Sequence, residues 1–170
     1  AFSHIADGCG VKAHMAEAIE AVNNAQKRIL VEKIVRYFGS GLSGKTFAVW
    51  GLSFKPNTDD MREAPSVVII ENLLKAGARV RAFDPKATDE ARKIFGERIF
   101  LANDQYEALR GADALVLVTE WGTFREPDFE KMKQLMKAPL IFDGRNQYKP
   151  AKMEKLGFEY FCIGRPNATL

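Results

Sequence analysis

Cysteine and histidine are scarce, at two each in 170 residues. Cys9 and Cys162 make neither a disulfide framework nor a zinc site, so no metal is expected. His4 and His14 have no acid partner at catalytic spacing and read as surface residues. An excess of one charge is missing too. Lys and Arg number 25 against 22 Asp and Glu, a net charge of +3, and the two signs interleave along the chain. That excludes a basic stripe tracking phosphates, and no nucleic-acid partner is expected. No apolar run approaches the roughly 20 residues of a membrane helix, so no membrane partner is expected either. The first residues, AFSHIADGCG, lack the charged and apolar regions of a signal peptide, and the absence of a starting Met reads as a piece of a longer protein. The expectation is a cytoplasmic chain from a reducing compartment. With 46% hydrophobic and 28% charged residues, it has the means to bury a core.

Glycine and proline are absent from Val11 to Phe38. Met15, Ala18, Ile19, Val22, Ile29, Leu30 and Ile34 recur there near helical spacing, which predicts a helix of about 26 residues. Its length of about 39 Å exceeds the ~30 Å of a small domain. Such a helix packs on something beyond its own domain or joins two bodies. After the hinge GSGLSG (39–44), apolar runs at 46–51, 78–83, 98–101, 114–118, 139–142 and 159–163 read as strands. Helices are predicted over 65–76, 87–95, 105–109, 125–136 and 150–156. Near-continuous apolar strands alternating with helices predict a Rossmann-like, doubly wound α/β fold with a parallel six-stranded sheet.

The residues GSGLSGKT (39–46) satisfy the P-loop pattern GxxxxGK[ST], and LIFD (140–143) resembles a Walker B strand. A P-loop needs a strand before it and a helix after it, so that amides at the helix N-terminus cradle phosphate. Here a long helix precedes and a strand follows. A hinge is the better reading, and a P-loop NTPase remains an alternative.

More informative is the segment after the first strand, GLSFKPNTDDMREAPS (51–66). It departs from the dinucleotide fingerprint and forms instead a polar loop at the carboxyl edge of the sheet, where open α/β sheets bind ligands. Asp84, Thr119–Glu120–Trp121 and Asp143–Gly144–Arg145–Asn146 follow other strands at the same edge. Asp84 before Pro85 reads as a helix cap. The basic members, Lys55, Arg62 and Arg145, suit a diphosphate or nucleotide. Cys162, Trp50, Phe47, Phe142 and Phe161 lie on strands and read as core; Cys9 near a helix start reads as an incidental thiol.

This segment closely resembles the signature opening the nucleotide-binding C-terminal domain of the UDP-glucose/GDP-mannose dehydrogenase family. The resemblance extends to AVNNAQ (21–26), FDP (83–85), TEW (119–121), FDGRN (142–146) and GFEYFCIGR (157–165), essentially the whole chain. FKPNTDD (54–60) is similar to the UDP-glucose branch; a dehydrogenase for another nucleotide sugar remains an alternative. The resemblance implies an enzyme that oxidises a sugar C6 hydroxyl to a carboxylate with two NAD⁺, passing through a cysteine-bound intermediate. It implies that Phe54 and Lys55 contact the sugar nucleotide, that Arg145 contacts bound substrate, and that Arg62 reaches the NAD⁺ of another domain. It further implies that residues 1–39 are part of a central dimerisation helix, joining a homodimer, and that 45–170 are the UDP-binding domain. The family's N-terminal dinucleotide domain and its GGSCFPKD nucleophile segment are missing from this sequence. No catalytic residue is therefore expected within it, and the chain alone should be inactive. A non-catalytic dimerisation module and a phospho-receiver domain, weighed on Asp59–Asp60 and Thr119, are the other readings considered.

Overall fold

Alanine, leucine, lysine and glutamate without an interrupting proline or glycine carry helix α1 from His14 to Phe38 in the computed structural model, which describes residues 14–167. His4 and Cys9 lie outside the described residues; His14 is exposed, 3.4 Å from Glu17 one turn on. Helix α1 ends where Gly39, at φ +87°, donates its N–H back to Val35 O. Its two halves differ in what they touch. Leu30 and Ile34 are buried against the rest of the chain, whereas Met15, Ile19 and Val22 are exposed.

Beyond the hinge come β1 (Thr46–Trp50), α2 (Pro65–Lys75), β2 (Arg79–Phe83), α3 (Thr88–Phe95), β3 (Phe100–Leu101), α4 (Gln105–Leu109) and β4 (Ala114–Leu117). Then follow α5 (Phe129–Leu135), β5 (Leu140–Asp143), α6 (Pro150–Lys155) and β6 (Glu159–Cys162). All pairings are parallel and the sheet order is β3-β2-β1-β4-β5-β6, the doubly wound arrangement expected. That order differs from the 2-1-3-4-5 of receiver-type domains, so that reading is set aside.

Strand residues alternate between two buried layers, which explains why the strands read as continuous apolar runs. Phe47, Val49, Val80, Val116 and Phe142 face one layer, with Ile34 of α1 and Ile69 of α2. Ala48, Trp50, Leu115, Ile141, Tyr160 and Cys162 face the other, with Met132 of α5 and Met153 of α6. Trp50, Phe47, Phe142 and Cys162 are fully buried and Phe161 is partly so. The Trp50 Nε1–H is satisfied by Gln105 O at 2.8 Å.

Two segments differ from expectation. Residues 96–98 form a 3₁₀ turn, leaving only Phe100–Leu101 as an edge strand. The helix expected over 125–136 starts at Phe129, after a 3₁₀ turn at Gly122–Phe124. Pro127 keeps Glu126 out of helical geometry, and Asp128 caps the new start by accepting Lys131 N–H at 2.9 Å.

The P-loop pattern falls between a helix and β1, the reverse of strand–loop–helix. Its Lys45 pairs with Asp113 at 3.7 Å at the amino end of the sheet. Residues 39–44 also happen to spell GxGxxG, and fail as a dinucleotide fingerprint for the same reason. Asp143, the would-be Walker B acid, is fully buried, accepting from the N–H groups of Arg145, Gln147 and Tyr148 and from Tyr160 OH. Burial beside that carboxylate pushes the Tyr160 phenol well up from its ordinary value near 10.0.

Candidate functional site: the cleft at the switch point

Crossovers from β1 and β4 leave the sheet in opposite directions, which opens a crevice at their carboxyl ends. The backbone there is held tightly. Gly51, at φ +87°, lies so close to the start of the β4 loop that a Cβ would stand 2.5 Å from Thr119 Cβ and 2.6 Å from Thr119 N. Glycine is required at that crossing. Thr119 Oγ1 donates to Ser53 O at 2.6 Å, and Ser66 Oγ donates to Leu52 O, so both ends of the long β1 loop are fastened.

Asp84, at the end of β2, is only 2% exposed and holds this arrangement. Oδ2 accepts from Leu52 N (2.7 Å), Ser53 N (3.1 Å), Ser53 Oγ (3.3 Å) and Trp121 Nε1 (3.1 Å). Oδ1 accepts from Lys86 N and Ala87 N, both at 2.8 Å, so it closes the turn ahead of α3; the helix cap expected of Asp84 is not formed, because the N-cap position is Ala87 and no side chain caps it. Both oxygens are thus occupied by the protein's own donors. In a dinucleotide-binding sheet an acid near this place holds the ribose 2′-OH; here it is unavailable, and the crevice does not fit a nicotinamide dinucleotide of its own.

A cleft of about 960 Å³ opens between this crevice and α1. Phe54, Lys55 and Arg145 all line it, so three of the sequence-predicted residues meet in one place. Phe54 is 47% exposed, with its ring available to a ligand. Arg145 spans the two loops: Nε donates to Val118 O at 2.9 Å and Nη2 donates to Phe54 O at 3.1 Å. Glu120 Oε2 lies 2.9 Å from the same Nε as an ion-pair partner, without an aligned hydrogen bond. Arg145 Nη1 has no partner among the described residues, which leaves donors for an anion. Next to it, Gly144 leaves room for Leu30: a Cβ there would overlap Leu30 Cδ1, so the leucine side chain would have to shift.

Arg62 sits apart from this group. It is absent from the cleft lining, and its side chain is 89% exposed. Its Nε and Nη2 grip Asp60 Oδ1 and Oδ2 at 3.0 and 2.8 Å, a bidentate pair. That guanidinium holds the Asp60 carboxyl down at about 2. The pair therefore stays ionised at any physiological pH, presenting Arg62 from the rim of the loop toward solvent.

The cleft also contains residues the sequence reading left without a role. Asn23, Asn24 and Lys27 of α1 form its outer wall. Lys27 Nζ pairs with Glu63 at 2.7 Å, tying α1 to the β1 loop. The signal was available: Asn23, Asn24 and Lys27 are three and four residues apart, hence on one face of a helix. Among the described residues no group of three or more His, Cys, Asp or Glu is arranged to hold a metal ion. Among the described residues no helix is long and apolar enough to cross a membrane.

The sequence profile of the UDP-glucose/GDP-mannose dehydrogenase family, UDP binding domain, matches residues 48–150, from mid-β1 to the start of α6. This chain belongs to that family. Within the family, it is 49% identical over 164 residues to a UDP-glucose 6-dehydrogenase of Pseudomonas aeruginosa, covering 94% of this chain and 36% of that protein. It is 45% identical over 153 residues to the UDP-glucose 6-dehydrogenase of Rhizobium meliloti, covering 90% and 35%. The solved UDP-glucose dehydrogenase of Pyrobaculum islandicum superposes with a TM-score of 0.75 at 30% identity, over 87% of this chain and 32% of the other. The chain spans about a third of the length of the curated relatives it matches.

Proposed function

We propose that this chain is the UDP-binding part of a UDP-glucose 6-dehydrogenase, an oxidoreductase converting UDP-glucose to UDP-glucuronate with two NAD⁺. The observation that carries this is the meeting of Phe54, Lys55 and Arg145 in one cleft at the β1/β4 switch point, in a chain 49% identical to an enzyme of that name. Arg145 supplies fixed donors to the diphosphate, Lys55 adds a mobile positive charge, and Phe54 offers a ring face for packing. The NAD⁺ belongs to a part of the enzyme outside this chain. Arg62, held outward by Asp60, is the residue assigned to reach it. The UDP domain is 45–170, and the part before it, of which His14–Phe38 is described as helix, belongs to a central helix; residues 1–13 lie outside the described residues.

Binding tests this reading most directly. A ligand at 100 times its dissociation constant adds about 2.7 kcal/mol, roughly 5–10 °C for a chain of this size. UDP and UDP-glucose are expected to give that shift, whereas NAD⁺ gives none. The same pure chain should form no NADH from UDP-glucose and NAD⁺. A shift with Mg-ATP that is lost in Lys45→Ala would favour the P-loop reading, and NADH formation would overturn the assignment of the chemistry elsewhere.

The exposed half of α1 bears on assembly. Met15, Ile19 and Val22 are 80%, 55% and 58% exposed and lie four and three residues apart, one apolar stripe. A homodimer through α1 would cover them. Sedimentation should show a dimer whose dissociation constant rises in an Ile19→Glu/Val22→Glu variant. A strict monomer at high protein concentration would rule this out.

A further inference from the structure

The opposite end of the sheet carries a second cleft, of about 620 Å³, along the amino ends of β2 and β3. Its charge is unlike that of the rest of the surface. Arg79, Arg81, Arg92, Arg98 and Arg110 all line it, against the single carboxylate of Glu97. These are five of the chain's eleven arginines, and no lysine joins them. They are scattered over thirty-two positions and interleaved with acids in sequence, so only folding brings them together.

Four of the five have no carboxylate within ion-pair distance among the described residues; Arg98 alone is paired, with Glu71 at 2.8 Å. Five guanidiniums sharing one concavity repel one another, and no carboxylate among the described residues neutralises four of them. Arg81 is also fixed in place. Its Nη2 donates to Glu107 O at 2.9 Å, its guanidinium lies 4.2 Å from the centre of the Phe100 ring, and its Nε is buried without an acceptor. By contrast, Lys45 and Lys137, the cations beside the neighbouring strand ends, are both taken up by Asp113. The positive patch therefore stops at the cleft and does not continue along the sheet as a track for a polymer.

We infer that this cleft is a binding site for a small ligand bearing an oligophosphate group, separate from the switch-point cleft and at the other end of the strands. Planar guanidinium forks match phosphate oxygens two at a time, and a concave site of a few hundred Å³ suits a molecule of nucleotide size. The Phe100 side chain, 43% exposed on the edge strand, provides a ring beside the phosphates. The phosphate chain is the recognised chemistry; whether a base accompanies it depends on that ring.

The test is calorimetric titration of inorganic tripolyphosphate and of ATP without metal into the 170-residue chain at 150 mM salt. Tripolyphosphate should bind saturably with a dissociation constant below about 1 mM. Saturating UDP should not displace it. The Arg79→Ala/Arg110→Ala variant should weaken it on the order of a hundredfold, since each of the two charge-assisted contacts is worth about tenfold. The same variant should keep the parent's thermal shift with UDP and its melting temperature, showing that it folds. ATP binding tighter than tripolyphosphate, with the advantage lost in Phe100→Ala, would support the site and identify a nucleotide as its source. Equal affinities would support the site and identify the phosphate chain alone. The inference is overturned by no saturable binding, by displacement with UDP, by an unchanged affinity in the double-arginine variant, or by a single-stranded oligonucleotide binding where tripolyphosphate does not.

Discussion

Replacing Arg145 by alanine is expected to weaken UDP binding by roughly ten- to a hundredfold, the loss of one charge-assisted contact of on the order of 1.5–3 kcal/mol. The geometry makes this the most sensitive position in the cleft. Arg145 holds Val118 O at 2.9 Å and Phe54 O at 3.1 Å, so it sets the distance between the β1 and β4 loops as well as presenting charge. Arg145→Lys separates the two roles. Lysine keeps the charge but cannot grip two carbonyls and still offer a fork to phosphate. It should recover only part of the affinity. Lys45→Ala is the control, because Lys45 opens β1 at the far end of the sheet, beside Asp113. Titration of UDP into the three variants decides the matter: unchanged binding in Arg145→Ala together with loss in Lys45→Ala would transfer the nucleotide to the P-loop-like hinge.

That contrast shows which part of the sequence was legible. The pattern GSGLSGKT satisfies a stringent motif and means nothing here, because its context is helix–loop–strand; the order of elements could be read in advance from the uninterrupted 11–38 stretch and the apolar run at 46–51. The parallel, doubly wound class of the sheet was legible for a similar reason. Strands buried on both faces read as unbroken apolar runs, and parallel strands need crossovers long enough to be seen. What could not be read was local geometry set by backbone contacts. The edge strand β3 is two residues long because a 3₁₀ turn consumes residues 96–98, and no periodicity marks that.

In the candidate cleft, side chains proposed to meet the ligand were easier to recognise than those holding the loops. Phe54 was singled out by the family resemblance, and Lys55 and Arg145 stood out as basic groups in polar loops. Lys27 did not, since one lysine on a charged helix resembles any other until its pairing with Glu63 is seen. Asp84 was read as a helix cap, whereas one oxygen closes the turn ahead of α3 and the other serves residues thirty or more positions away, which no local pattern encodes. The arginine cleft was invisible for the same reason. Charge interleaved along a chain carries no information about charge gathered in space.

Asp84 also sets the largest stability effect expected from a single substitution. Asp84→Ala removes every acceptor for the N–H groups of Leu52, Ser53, Lys86 and Ala87, the Ser53 hydroxyl and the indole N–H of Trp121. Each buried donor left unsatisfied costs about 1–3 kcal/mol, and water entering the vacated volume recovers some of that. A net loss on the order of 3–5 kcal/mol is expected, lowering the melting temperature by roughly 10 °C or more. Asp84→Asn should fall between, because its amide keeps one acceptor oxygen but turns an NH₂ toward groups that are themselves donors. The site should suffer with the fold, since Leu52 and Ser53 begin the loop that carries Phe54 and Lys55. UDP binding to Asp84→Asn, measured well below its melting temperature, should therefore be weaker than to the parent although Asp84 does not line the cleft. Denaturant unfolding of the two variants checks the first part and calorimetry the second. A loss within about 0.5 kcal/mol for the alanine variant, the range of an ordinary surface substitution, would show that this carboxylate does not hold the loops together.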